Sequence, residues 1–168
     1  MRLRTLAMRL SKLHPHPCNS VELEQYSTDG DLAARWLSDV AAFGDLFEGC
    51  SVVDIGSGNG VLGLGALLMG ASSATLVEVD EEASAVSAGN AADLGLEERI
   101  EIVRAEVGED ALDIASVDLV ITNPPWGRQV ERADRPFLDA ILSAGVTAHV
   151  MHSAGASHIQ SIFEAASW

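Results

Sequence analysis

Lysine is almost absent from this chain: Lys12 is the single one, and lysine plus arginine total 10 against 25 acidic residues, for a net charge of -15. Taken alone, that balance argues against nucleic acid, because phosphate contacts need a basic footprint. Two readings stay open. One is an acidic protein whose partner is not a nucleic acid. The other is a protein adapted to a cell interior of molar salt, where repulsion is screened within roughly 3 Å and an acidic, lysine-poor surface stays hydrated. Cysteine is scarce too. Cys18 and Cys50 form neither a CxxC pair nor an even-numbered framework, which fits reduced thiols in a cytoplasmic protein. No stretch of about 18 apolar residues is present, so no membrane-spanning helix is expected.

What is present fits one domain. The 168 residues are 48% hydrophobic and 21% charged, enough to bury a core without staples. The opening MRLRTLAMRLSKL places apolar residues at helical spacing between charges and reads as a short amphipathic helix rather than a secretion signal. Next, His14-Pro15-His16-Pro17-Cys18-Asn19 reads as turn chemistry. It has too few ligands in reach for zinc, and no metal is expected. Ser27 or Thr28 is the expected cap of a helix through Asp31 to Leu37, with Trp36 and Leu37 facing a core. Thereafter strand and helix periods alternate: strand 51–55, helix 61–69, strand 74–79, helix 81–94, strand 100–104, strand 118–122, helix 136–144, strand 146–151 and a last helix. The pattern predicts an α/β fold with a doubly wound, mostly parallel sheet. Residues 1–28 would form an N-terminal helix and a lid segment, and 50–168 the core.

In such a sheet ligands bind beyond the carboxyl ends of the strands. Asp54-Ile55-Gly56-Ser57-Gly58-Asn59-Gly60 is the first candidate, because glycines turn sharply and leave room for a ligand against the backbone. Gly58 to Gly63 also spell GxGxxG, a dinucleotide fingerprint, with Glu78 near the right distance for a ribose. However, a pyrophosphate needs the helix N-terminus, and a carboxylate at Asp54, just before Gly56, repels phosphate. It suits instead a cofactor bearing sulfonium and ammonium charges, S-adenosylmethionine. Glu78, with Val79 and Asp80 beside it, could accept the ribose hydroxyls, and Glu106, with Val107, the adenine amino group.

The stretch Asp118 to Gly127, DLVITNPPWG, begins as a buried strand and ends in residues no strand needs. A planar amino group has a delocalised lone pair and must pyramidalise before it attacks a methyl sulfonium. Asn123 can accept one amino hydrogen and the Pro124 carbonyl the other, with Pro124 and Pro125 fixing φ. Trp126 offers a face on which a flat acceptor can stack. Amino methylation follows as the expected chemistry, with Asn123, Pro124, Pro125 and Trp126 as the catalytic set.

The segments Leu23-Glu24-Gln25-Tyr26-Ser27-Thr28, Val53 to Leu62, Glu78-Val79-Asp80-Glu81 and Asn123-Pro124-Pro125-Trp126-Gly127 resemble, nearly end to end, the methyltransferase-like five family of Rossmann-like RNA adenine-N6 methyltransferases. The resemblance, with the acidic composition, implies an archaeal-type relative that methylates ribosomal RNA with S-adenosylmethionine. It implies that Gln25, Tyr26 and Thr28 close over the cofactor. Asp54 and Gly56 would flank the methionine part, with Ser57, Gly58, Gly60 and Asn123 also touching the cofactor. A small zinc-binding activator subunit is the implied protein partner. Two departures are visible: Trp126 stands where phenylalanine is frequent, and the family's two terminal strands would follow where this sequence stops, so a truncated form is expected. The alternatives are a glutamine methyltransferase acting on a release factor or ribosomal protein, and a silent cofactor-binding scaffold.

Overall fold

Short β-branched runs between helical periods produce five parallel strands in the structure, a computed structural model that describes residues 1–17, 28–127 and 131–167. They are β1 (Ser51–Ile55), β2 (Ser73–Glu78), β3 (Ile100–Arg104), β4 (Leu119–Thr122) and β5 (Ala148–Val150). The helices are α1 (Leu3–Leu10), α2 (Gly30–Phe43), α3 (Val61–Met69), α4 (Glu81–Leu94), α5 (Arg135–Ala144) and α6 (Ser157–Ala165). Strand order is β3-β2-β1-β4-β5, so the chain works outward from β1 in one direction and then returns to its other side. The order reverses between β1 and β4. That is where a crevice opens in a sheet of this type.

Both sheet faces are apolar, as a doubly covered parallel sheet requires. Val52, Ala74, Leu76, Leu119 and Ile121 point to one face and pack with Leu6, Leu10, Leu37 and Leu64. Val53, Ile55, Val77 and Val120 point to the other and pack with Ile141, Ile114 and Phe163. Leu37 is fully buried and Trp36 packs partly buried against the first core.

Several element ends differ from expectation. Asp29, rather than Ser27 or Thr28, caps α2, its carboxylate accepting from the amides of Asp31 and Leu32 at 2.9 and 3.2 Å. Ser27 lies outside the described residues, and the Thr28 hydroxyl is turned toward Asn123 instead. Strand β2 ends at Glu78, one residue early, and β5 is only three residues long because its pairing with β4 runs from Ala148 to Val150. Asp118 precedes β4. Its carboxylate accepts from the Ser51 amide and hydroxyl, both at 2.8 Å, and ties the start of β1 to β4.

The N-terminal arm is fastened to the core twice. Leu6, Ala7 and Leu10 bury one face of α1, and Gly30 lets α2 approach so closely that a Cβ there would meet the backbone of Ser11. Further on, fully buried Asn90 accepts the His14 amide at 2.8 Å and donates to the carbonyls of His14 and Asn59 at 3.1 and 2.9 Å. Asn59 donates to the same His14 carbonyl at 2.9 Å. The proline-flanked segment is thus hooked to α4 and to the glycine turn.

Candidate active site

The carboxyl ends of β1, β2 and β4, with the chain just after β3, surround a cavity of about 320 Å³. Asp54 sits at its floor, 1% exposed. One carboxylate oxygen, Oδ2, accepts the Gly63 amide in the first turn of α3 at 2.9 Å. The other, Oδ1, is buried and has no hydrogen-bond partner among the described residues. Burial raises the Asp54 pKa to about 7, with the Gly63 amide opposing the rise and Glu78 adding to it. A buried acceptor without a donor is costly, so this oxygen is poised for a cationic or proton-donating ligand group.

The same hydrogen bond bears on the dinucleotide reading. The Gly63 amide is one of the helix N-terminal donors that a pyrophosphate would use, and Asp54 already occupies it. Gly63 serves packing: a Cβ there would meet Leu76 and the Asp54 carboxylate.

Above Asp54 the turn stays open because of two glycines. Gly58 has φ +55, and a Cβ there would lie 2.9 Å from His16 Cδ2; Gly56 has φ +71, and a Cβ there would lie 2.8 Å from Phe137 Cε1. Glu78 holds the turn from the next strand, its two oxygens accepting the amides of Gly58 and Asp80 at 2.8 and 2.9 Å. Each oxygen keeps a second lone pair for a hydroxyl.

Among the residues singled out from sequence, the cavity wall includes Thr28, Asp54, Gly56, Ser57, Gly58, Glu78, Val79, Glu106, Val107, Asn123, Pro124 and Pro125. Gly60 and Asp80 are not on it. Gly60 precedes α3 at φ +82, and Asp80 caps α4 by accepting from the Glu82 and Ala83 amides. Gln25 and Tyr26 lie outside the described residues. His16, Phe137, Asn59 and Pro136 line the wall without having been singled out for it. Burial holds the His16 imidazole below its usual pKa against the pull of Glu78 and Asp80, and a neutral ring beside the turn does not repel a cation. The His-Pro-His-Pro run was the available signal, but nothing local connects it with Asn90.

Asn123 is fixed at both ends of its amide. Its Nδ2 donates to the Thr28 hydroxyl at 2.9 Å, and its Oδ1 accepts from the Trp126 indole at 3.1 Å. Trp126 is off the cavity wall and faces an adjoining cleft. Its ring stacks on His152, centroids 5.5 Å apart at 27°.

Behind that stack, Asp134, His152 and His158 bring three potential metal-ligand atoms within 4.8 Å of one another. The two imidazole Nε2 atoms lie 3.3 and 2.6 Å from the same buried Asp134 oxygen. His152 Nδ1 accepts the Ser153 amide at 2.9 Å, which leaves the ring proton on Nε2, facing the carboxylate. His158 hydrogen-bonds the Asp134 carboxylate at 2.6 Å, and His152, 3.3 Å from the same oxygen, lies between that pair and Trp126.

Residues 31–156 match the methyltransferase small domain family. An uncharacterized protein of Methanocaldococcus jannaschii is 35% identical over 158 residues, 88% of this chain and 69% of that one. The rRNA N(6)-adenosine-methyltransferase METTL5 of Danio rerio is 29% identical over 164 residues, 95% of this chain and 79% of that one. A crystal structure from Pyrococcus horikoshii, described as a candidate RNA methyltransferase, superimposes with a TM-score of 0.84 at 37% identity, covering 98% of this chain and 78% of that one.

Proposed function

The chain belongs to the methyltransferase small domain family, and from that premise we propose that it is an S-adenosylmethionine-dependent N-methyltransferase acting on the exocyclic N6 of adenine in ribosomal RNA. The observation that carries the cofactor assignment is the buried, unpartnered Asp54 Oδ1 at the cavity floor. It suits an ammonium group better than a phosphate. Glu78 suits ribose hydroxyls, and Glu106, exposed at the rim after β3, suits an adenine amino group. When bound, the cofactor supplies an electrophilic methyl on a sulfonium.

The chain's own residues handle the acceptor. Asn123 Oδ1 keeps one lone pair beyond its indole contact, so it can draw one hydrogen of an amino group out of the base plane. The Pro124 carbonyl, on a backbone with φ restricted by two rings, takes the other. Thr28, holding Nδ2, fixes which way the amide faces. Preorganised acceptors of this kind lower the barrier because they cost no reorientation during reaction. Trp126, tied to Asn123 by its indole, supplies the aromatic surface beside which an extruded base would stack. Similarity to an rRNA N(6)-adenosine-methyltransferase over 95% of this chain supports RNA as the acceptor.

The test is transfer of tritium from labelled cofactor to ribosomal RNA, with release factor and a no-acceptor control beside it. Label in RNA adenine is expected; label in release factor alone would replace this reading with glutamine methylation. Asn123→Ala should lower turnover about a hundredfold with cofactor affinity nearly unchanged. An equal loss of cofactor binding in calorimetry would contradict the role given to Asn123.

A further inference from the structure

We propose that the outward face of α1 docks the RNA backbone and leads the strand to the cavity, an inference that rests on RNA as the acceptor. The first 17 residues contain Arg2, Arg4, Arg9 and Lys12 and no aspartate or glutamate. Four of the chain's 10 basic side chains thus lie in one short arm, while all 25 acidic ones lie beyond it. The charge of the whole hides a segregated footprint.

Helix register turns that footprint outward. Leu6, Ala7 and Leu10 are buried, whereas Arg2, Arg4 and Lys12 are exposed. Among the described residues none of the three takes part in an ion pair. Arg4 and Lys12 join Arg35 of α2 around a groove of about 570 Å³ between the two helices. The one acidic residue on its wall, Asp31, is already held by Arg35 at 2.8 Å. Leu3 and Met8, 45% and 54% exposed, give apolar surface on which sugars and base edges can rest.

The ten steps from Arg2 to Lys12 rise about 15 Å at helical pitch, enough to meet several successive phosphates. Four residues past Lys12 the same backbone supplies His16 to the cavity wall, and Asn90 and Asn59 fix its path there. A strand laid along α1 is therefore carried toward Asn123. Docking surface and cavity wall share one arm.

The experiment measures fluorescence anisotropy of a labelled RNA stem-loop with adenines in its loop, across a KCl series, for the wild type, R2Q/R4Q/K12Q and the charge-preserving R2K/R4K. The triple variant should bind about tenfold or more weakly at low salt, with a log K against log salt slope shallower by about three. R2K/R4K should bind as the wild type does. Melting temperature and S-adenosylmethionine affinity should be unchanged in both. RNA affinity unchanged in the triple variant, with methylation intact, would overturn the docking surface and leave the acceptor reading standing. Cofactor binding without any RNA binding by the wild type would overturn both. Equal competition by poly-glutamate would make α1 a general anion surface and overturn RNA as its occupant. Wild-type self-association that is lost in the triple variant would assign the face to a second copy and overturn the proposal.

Discussion

Asp54 combines two facts at one residue: its carboxylate is buried, and one of its oxygens lacks a donor. Its pKa is raised to about 7, so the neutral form is favoured and its stabilising contribution, present below the unfolded value, is lost as pH rises through about 7. The stability of the wild type relative to Asp54→Asn, read by thermal melting, should therefore fall between about pH 4 and about pH 7 and level off above that. A cationic ligand prefers the ionised form. Below about pH 7, cofactor affinity in calorimetry should drop about tenfold per pH unit, with proton release on binding, and Asp54→Asn should abolish that dependence. Gly58 supplies a second residue-level test. Its φ of +55 and the His16 ring above it make Gly58→Ala strained and crowded, at a cost of about 1–2 kcal/mol in urea denaturation and with weaker cofactor binding. Asp54, Glu78 and Asn123 were legible in sequence because each stands at the end of an apolar run where a strand must stop. The depth of Asp54 was not, since it depends on α3 folding back to offer the Gly63 amide.

At the scale of elements, strands and helices were legible almost throughout because their punctuation is local: Gly70 follows α3, Gly95 follows α4 and Gly145 follows α5. What sequence did not show is how the N-terminal arm meets the cavity. His14 and Asn90 are 76 residues apart, and neither type announces a long-range bond. Asn90→Ala removes three hydrogen bonds and leaves the His14 amide without its acceptor. It should cost about 2 kcal/mol or more in urea denaturation and speed amide exchange across residues 11–17. Unchanged exchange there would show that the prolines alone hold the segment. The role of α5 was likewise hidden. Its start places Asp134 beneath two histidines from the far end of the chain, and its Phe137 closes over Gly56.

For the whole molecule, the alternation of elements sufficed to predict a parallel doubly wound sheet, and the strand order puts the acidic and amide residues around one crevice. Composition gave a misleading average instead. A net charge of -15 describes the body of the protein but not its first helix, and segregation of that kind vanishes in a sum. Self-repulsion among 25 carboxylates is screened by salt. The melting temperature should therefore rise as KCl is raised from about 0.1 M to about 1 M. A flat or falling curve would count against a surface adapted to concentrated salt.

The contacts that complete the cavity join distant parts of the chain: His14 to Asn90 across 76 residues and Thr28 to Asn123 across 95. During synthesis α1 can pack on α2 and α3 soon after they emerge, but the arm's bonds at the cavity wait until α4 and then β4 have followed. Contacts of such separation form late, after most of the loop entropy has been lost. A half-made chain therefore offers the cofactor no pocket. Ligand stabilisation reaches only molecules that have finished folding, and it protects the completed protein without helping the nascent one.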